Sequence, residues 1–416
     1  MGTKTIRVMA ALLLCAGASA GRADAQAASP PLTFRAALDL AASRNLGLAA
    51  ARRQRAIREA QVRIAGQRAN PEFGFEVTQD SPHENLTFGY PIELGGQRSR
   101  RIALAREELT LADLDERTEM RTLRRNLRLA FYGLLAADQR VRLAGEVLDL
   151  SERTRQVAQA RFEAGATPKL DVLQADLGLA RAQTELDLAR STRASAQADL
   201  NAVLNQPAGQ AVALTGDLAE GPATTDLAGA MRIASASNID LLSAEREAAV
   251  EERRLGVLKA ERVPTPTVTF GLPIDAPDEF TVGKSLGIAM AIPLFSRNKG
   301  EIAQSMATID WIHAKRDAAR RVAESAVFGA LARMEAERRQ VDAYRGRVIP
   351  AATELATLAE ESYKAGRNSV LGLIDAQRSL RDVSREYLQA LLDFQTAIAD
   401  LEEVVGAPLT EGRSEK

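Results

Sequence analysis

Cysteine is nearly absent from this chain of 416 residues, which contains a single one, Cys15. Cys15 follows Leu13 and Leu14 in an apolar run, whereas a lipid-attachment cysteine has a small residue immediately before it. We therefore interpret Cys15 as a filler residue of that run. Removal of the run leaves a mature chain without cysteine, which excludes a disulfide, a thiolate metal site and a cysteine nucleophile.

The apolar run near the amino terminus is also short. Lys4 and Arg7 precede it, it spans residues 8–20, and small-x-small cleavage sites follow. This pattern predicts a secretory signal peptide over residues 1–25. An uncleaved membrane anchor is the alternative, but the run is shorter than the roughly 18 residues that a spanning helix needs. We expect the protein to be exported.

Aromatic residues are scarce, at 4%, which is too few for a thick globular core. Ala, Leu, Arg, Glu and Gln crowd the chain instead, and this is the composition of long helices that meet along thin seams. The 54 basic and 55 acidic residues give a formal charge of −1. Without a basic patch interleaved with aromatics, the sequence argues against nucleic acid as a partner.

Signatures of catalysis and of metal binding are lacking as well. No GxSxG, HExxH or Gly-rich phosphate loop stands in the context that its chemistry requires. The only histidines, His83 and His313, fall in a predicted external loop and on a predicted helix, so neither joins a ligand set. The sequence therefore predicts no enzyme, no cofactor and no resident metal.

What the chain does contain is an internal duplication. The segment around Gly165 aligns with the segment around Gly366, and Leu170 falls on Leu371 at the same offset. A unit of this length is too long for a solenoid repeat and suits two halves of one protomer. The expected division is a signal peptide over 1–25, a first repeat over 32–208, a linker over 209–225, a second repeat over 226–408 and a tail over 409–416.

Each half is predicted to have the same plan. A helix over about 46–69 is followed by two short strands, by a long helix over about 97–162, and by a returning helix over about 168–204. Apolar and small residues along the long helix recur in alternating threes and fours, which indicates a coiled-coil face. At 1.5 Å per residue, about 65 helical residues extend roughly 100 Å, far more than a compact domain requires.

The short strands are predicted at about 71–79 and 85–94 in the first half and at about 265–272 and 282–293 in the second. Their apolar residues recur at spacing two, which is strand spacing. The predicted apolar face consists of Phe73, Phe75, Val77, Leu86, Phe88, Tyr90, Ile92, Val268, Phe270, Leu272, Leu286, Ile288, Met290 and Ile292.

Two interpretations of these strands remain open. One is a small soluble sheet with a single buried face. The other is the wall of a transmembrane β-barrel, which has the same alternation and which we favour because the chain is exported and no amphipathic segment nearby would cover the face. Four strands cannot close a barrel, and open edges are not tolerated in lipid, so several chains must contribute strands. Three chains would supply twelve.

The strand exits GYPIELGGQRSRRIALA and AIPLFSRNKGEIAQS, with the helix turns FEAGATPKLDVLQA and YKAGRNSVLGLIDAQ, resemble those of the TolC-like outer-membrane efflux proteins. The resemblance covers nearly all of the mature chain, and the exits look most like the cobalt-zinc-cadmium resistance branch. It implies a mostly α fold with a small β part, with two internal repeats and long helical hairpins forming an α-barrel. Each protomer of a homotrimer would give four strands to a shared 12-stranded barrel in the outer membrane of a Gram-negative bacterium.

The resemblance also implies partners and a role. The trimer would be a passive duct that extends into the periplasm, and an inner-membrane pump would engage it through a periplasmic adaptor. The cargo would be divalent heavy-metal cations. Drugs or secreted polypeptides remain alternative cargoes, and an exported periplasmic coiled-coil scaffold is the alternative from another functional class.

The helix turns would then form the periplasmic entrance. Asp171 matches the family's first acidic position there and Asp375 the second, so a trimer would gather six carboxylates, making the entrance cation-favouring and pH-sensitive. The simpler interpretation is that both are solvated residues on the first turn of a helix, favoured by the helix dipole. The adaptor would contact Gly165, Ala166, Thr167, Gly366, Arg367 and Asn368. We also hypothesise that Arg367 pairs with an acidic neighbour to hold the closed state.

Overall fold

A computed structural model of the chain describes residues 31–222, 226–276, 280–295, 297–367 and 369–409. The predicted signal peptide, residues 410–416 of the predicted tail, and Asn368 lie outside the described residues. Most of the described chain is helical, with a small antiparallel sheet.

The first half begins with a short helix that the sequence analysis did not predict. Thr33 caps it by accepting a hydrogen bond from the Ala36 N–H. The next helix ends at Ala65, four residues earlier than predicted, and the N–H of its C-cap residue Gly66 donates to the Val62 carbonyl. The elements are α1 (Phe34–Arg44), α2 (Leu46–Ala65), β1 (Glu72–Val77), β2 (Glu84–Pro91), α3 (Gln97–Glu163) and α4 (Lys169–Val203).

The second half repeats this order. Its own short first helix, also missed by the sequence analysis, is capped by Asp226. The elements are α5 (Leu227–Ser237), α6 (Ile239–Ala260), β3 (Thr267–Ala276), β4 (Phe280–Val282), β5 (Ser285–Ala289), α7 (Lys299–Ala343), α8 (Ile349–Lys364) and α9 (Val370–Val405).

The long helix of the second half is interrupted where α3 is continuous. Residues Tyr344–Val348 form a π-helical turn between α7 and α8. Pro350 lies two residues beyond this turn, and because it has no N–H, the carbonyl four residues before it loses its α-helical partner. The π-helix is rare and occurs mostly as a single wider turn of this kind within an α-helix. The prediction of a second long helix equivalent to α3 is therefore correct in length, but that helix is not continuous.

The sheet joins the two repeats. β1 pairs with β2, β2 with β3, and β3 with both β4 and β5, all antiparallel. The predicted fourth strand, over about 282–293, is thus two pieces in one register. The break lies opposite Pro273, which accepts the Gly283 N–H but has none to return. β5 ends at Ala289 because the next partner position, Pro266, also lacks an N–H and gives its carbonyl to Ile92.

The main core lies midway along the helices, where α1, α3, α5, α7 and α9 meet. A buried ion pair crosses the repeats within it: Arg128 on α3 is 1% exposed and contacts Glu402 on α9 at 3.4 Å. Arg128 also donates to Gln395, whose amide donates to the Leu218 and Glu220 carbonyls of the connecting segment. The two repeats therefore pack as one body. No helix among the described residues is long and apolar enough to cross a membrane.

Candidate functional site: the two-faced sheet and the helical tips

The sheet has one continuous apolar face, because residues paired across antiparallel strands share a face. Its central row contains Phe73, Phe88, Phe270 and Leu286. Rows on either side contain Phe75, Leu86 and Leu272, and Tyr90, Val268 and Ile288. Val77 continues the face toward the hairpin end, where it pairs with Glu84. Of the predicted face residues, Ile92, Met290 and Ile292 lie just beyond the strands.

This apolar face is open. Phe73 is 71% exposed and Leu286 78% exposed, and Ile288 is exposed as well. Within the described residues, the sheet packs against its own strands and no helix packs extensively against either face. A contiguous apolar surface of this kind indicates an interaction with a membrane or another protein.

The opposite face is polar and crowded with glycine. Thr87 lies between Gly74 and Gly271 across the strands, and Thr269 lies between Gly89 and Gly287. A Cβ at Gly74 would lie 2.7 Å from Thr87 Oγ1, so the hydroxyl side chains fill the space that the glycines leave. Glycine thus serves close packing here, and the face suits contact with water.

Both strand exits turn sharply into a helix. Gly96, with φ of +70°, precedes α3, and Asn298, with φ of +50°, precedes α7. Gly95 is required for a different reason, because a Cβ there would lie 2.7 Å from Val263. Gln97 holds the first exit by accepting from the Gly95 N–H and donating to the Val263 carbonyl.

At the opposite end of the helices, Gly165 and Gly366 make the predicted turns with φ of +71° and +72°. The two turns close alike: the Ala166 N–H donates to the Arg161 carbonyl and the Arg367 N–H to the Ser362 carbonyl. Left-handed glycines with this bonding pattern end many helices.

A contact between Arg161 and Tyr363 holds the two tips together. Arg161 Nη1 donates to the Tyr363 carbonyl at 2.9 Å, and its guanidinium lies 4.8 Å from the ring centroid. Tyr363 is 2% exposed, in a small core formed with Val370, Leu373 and neighbours. Burial raises the pKa of the Tyr363 hydroxyl; the Arg161 charge opposes this, and the Asp171 carboxylate adds to it.

The two entrance carboxylates have different surroundings. Asp171 lies in the first turn of α4, close enough to act electrostatically on Tyr363. Asp375 lies in the second turn of α9, mostly exposed, with Arg378 Nη1 at 4.0 Å. Among the described residues Arg367 has no ion pair within 4 Å, so the cation that links the tips in this structure is Arg161.

Arg161 and Tyr363 were missed by the sequence analysis, although the repeat carries a signal for one of them. Phe162 and Tyr363 occupy the same place, three residues before the tip glycine, so an aromatic side chain recurs there. Its partner on the other repeat cannot be deduced from this spacing. In the described part of the chain, no group of three or more His, Cys, Asp or Glu side chains is placed to hold a metal.

The sequence profile of the family described as "Outer membrane efflux protein" matches residues 37–206 and 231–407. Among curated proteins, the chain is 28% identical to cobalt-zinc-cadmium resistance protein CzcC of Cupriavidus metallidurans, over 91% of each chain. It is 26% identical to nickel-cobalt-cadmium resistance protein NccC of Alcaligenes xylosoxydans xylosoxydans, over 60% of this chain and 57% of NccC. It is 25% identical to the pyoverdine export outer membrane protein OpmQ of Pseudomonas putida, over 73% of this chain and 66% of OpmQ.

Solved structures share the fold. A membrane protein from Pseudomonas aeruginosa superposes with a TM-score of 0.73 at 20% identity, covering 92% of both chains. CusC superposes with a TM-score of 0.71 at 16% identity, covering 90% of this chain and 92% of that one. The family match takes in both repeats and most of the chain. The protein therefore belongs to the outer membrane efflux protein family, whose members are transport ducts and not enzymes.

Proposed function

We propose that three copies of this chain form a passive export duct in the outer membrane of a Gram-negative bacterium, extending into the periplasm. The observation that carries the proposal is the two-faced sheet, apolar on one side and polar on the other, with β1 and β5 at open edges. Open edges are not tolerated in lipid, so strands from other copies must pair with them. The apolar side would face lipid and the polar side would line the duct.

The helices supply the length of the duct. α3 has 67 residues and extends about 100 Å, which carries the tips far from the sheet. In this proposal the tips are the periplasmic entrance, ringed by Asp171 and Asp375. Gly165, Ala166, Thr167, Gly366, Arg367 and Asn368 form the surface for a periplasmic adaptor, which links the duct to an inner-membrane pump.

We propose divalent heavy-metal cations as the cargo. Two relatives of this chain, CzcC and NccC, are named as metal resistance proteins, which supports this cargo. The two carboxylates that each chain has at the tips support it as well. The second candidate is an organic cargo, which the naming of OpmQ as a pyoverdine export protein favours.

The first experiment separates the duct from a soluble periplasmic scaffold. The envelope of cells making the full-length protein is fractionated, and the detergent extract is sized by chromatography with light scattering. An outer-membrane trimer is the expected result. A monomer or dimer that leaves the periplasm without detergent would refute the shared barrel.

The cargo is tested by deleting the gene and restoring it on a plasmid. We expect the deletion to lower tolerance of zinc, cobalt and cadmium, and the plasmid copy to restore it. Unchanged metal tolerance, with reduced export of a siderophore or drug, would favour the second candidate.

A further inference from the structure

The two strand exits, which connect the sheet to α3 and to α7, expose large apolar side chains. Leu94 in the first exit is mostly exposed, as is Leu294 in the second, and Phe295 is fully exposed, at 101%. The second exit is the longer one: α7 begins at Lys299, 11 residues after Ile288, whereas α3 begins at Gln97, 7 residues after Tyr90. Tyr90 and Ile288 lie in the same row of the sheet, so the two exits can be compared from that row onward. The second exit therefore contains a longer loop, and most of the described residues of this loop are apolar.

These side chains continue the sheet's apolar face. Ile92 lies between β2 and Leu94, and Met290 and Ile292 lie between β5 and Leu294. All three are exposed. The apolar surface therefore does not stop where the strands stop, but extends along both exits to the start of the helices.

Basic residues follow each exit directly. Arg98 and Arg100 stand in the first turn of α3, and Arg297 and Lys299 stand at the start of α7, all four exposed. The first turn of a helix favours acidic side chains, and α3 has none there while α7 has Glu301, so the dipoles of α3 and α7 do not account for these cations. Two of them are oriented by the chain: Arg98 Nε donates to the Gly66 carbonyl at 2.6 Å and Arg297 Nε to the Pro293 carbonyl at 3.1 Å.

The order of apolar and basic residues decides between two occupants of this surface. A second copy of the chain would cover the loops with protein, and the centres of protein interfaces are depleted of charge. A membrane surface instead accepts apolar side chains at the acyl boundary and cations at the phosphate level, a few ångströms away. The four cations lie within six residues of Leu94 or Phe295, which fits the second arrangement.

We propose that the exits, residues 92–100 and the described residues of 290–299, form a belt that binds anionic phospholipid in the periplasmic leaflet of the outer membrane. This inference rests on the proposed function, because it requires the sheet's apolar face to lie in the same membrane. The apolar loops enter the acyl boundary, and the four cations contact lipid phosphates.

The belt is tested with tryptophan as a probe of lipid contact. Trp311 is the only tryptophan, so Trp311→Phe gives a silent background. Phe295→Trp in that background is reconstituted into vesicles of phosphatidylcholine with brominated acyl chains, which quench tryptophan on contact. Ile288→Trp reports on the sheet face. Phe328→Trp, an exposed position about 44 Å along α7 from its start, is the control for no contact.

We expect quenching at Phe295→Trp and at Ile288→Trp, and none at Phe328→Trp. Quenching at Ile288→Trp without quenching at Phe295→Trp overturns the belt and leaves the duct intact. No quenching at either overturns both. Should Phe295→Trp fail to assemble, Leu94→Trp makes the same test in the other exit.

The charge requirement is tested by the kind of brominated lipid. With Phe295→Trp, brominated phosphatidylglycerol is expected to quench at least about twofold more strongly than brominated phosphatidylcholine, since each cation near an anionic surface favours it. Adding Arg98→Gln, Arg100→Gln, Arg297→Gln and Lys299→Gln should remove the difference and leave quenching by phosphatidylcholine unchanged. Equal quenching by both lipids in the unmodified belt overturns the assignment of the cations.

Discussion

Moving one lysine by a single residue separates the two faces of the sheet. Phe88 lies in the central row of the apolar face, between Phe73 and Phe270, whereas Thr87 lies on the polar face of the same strand. If the apolar face contacts lipid, Phe88→Lys places an ammonium group in hydrocarbon. Thr87→Lys places the same group on the side where water is expected. Composition and strand are otherwise unchanged.

The size of the effect depends on depth. A lysine on the lipid face of a β-barrel costs about 2 to 4 kcal/mol at the bilayer midplane and about 0 to 1 kcal/mol near the interface. We expect Phe88→Lys to lower the free energy of unfolding by the midplane cost, about 2 to 4 kcal/mol per chain. Glu84→Lys, at the hairpin end of the same face, should cost about 0 to 1 kcal/mol, because Glu84 already places a charge at that position. Thr87→Lys should cost less than about 1 kcal/mol.

The three variants are compared by guanidinium unfolding of protein folded into phospholipid vesicles. Free energies of unfolding are calculated from the midpoint concentrations with one shared denaturant dependence, the m-value. The expected order of cost is Phe88→Lys, then Glu84→Lys and Thr87→Lys together. A cost for Thr87→Lys equal to or above that for Phe88→Lys would refute the assignment of the faces. Equal costs at Phe88 and Glu84 would refute the depth that the proposal gives to the central row.

Three further outcomes are expected, two from the structure and one from the sequence hypothesis about Arg367. Arg128→Met breaks a buried ion pair and should cost about 3 kcal/mol in guanidinium unfolding, whereas Arg155→Met, in an exposed pair on the same helix, should cost about 0 to 1 kcal/mol. Gly406→Ala, at φ of +78° against a carbonyl, should cost more than about 1 kcal/mol, while Gly133→Ala, with open space around it, should stabilise by about 0.5. Arg367→Ala should raise single-channel conductance in planar bilayers if Arg367 holds the entrance closed; unchanged conductance contradicts that role.

The long elements were predictable because their signals are local. The bounds of α3 and α4 follow from a sustained period and from Gly165, and both occur within two residues of the expected positions. The split between β4 and β5 also had a local signal, Pro273, but its effect depends on which strand lies opposite. The alternation of apolar residues predicts which face of the sheet each side chain lies on, but not which strands pair. The break could therefore be predicted only from the register of the paired strands.

The contacts between repeats were beyond sequence reasoning for the same physical reason. Arg161 and Tyr363 are 202 residues apart, and Arg128 and Glu402 are 274 apart. Periodicity assigns each to a helix face, but the chain offers many arginines on such faces. Which one is buried depends on how α3 packs against α8 and α9, and that is settled by the summed fit of many small side chains.

The sheet also limits how copies can assemble. Its two edges differ, since β1 comes from the first repeat and β5 from the second. In the proposed ring of three copies, each edge meets the unlike edge of the next copy, head to tail, and such contacts close when the rotation allows. Four strand positions alternate in direction across each copy, so β5 runs opposite to β1 and every junction between copies is antiparallel, as within the sheet. An odd number would have forced a parallel pair at each junction. The duplication of a two-strand unit thus yields a wall that continues its own pattern from copy to copy, with the apolar face on one side throughout.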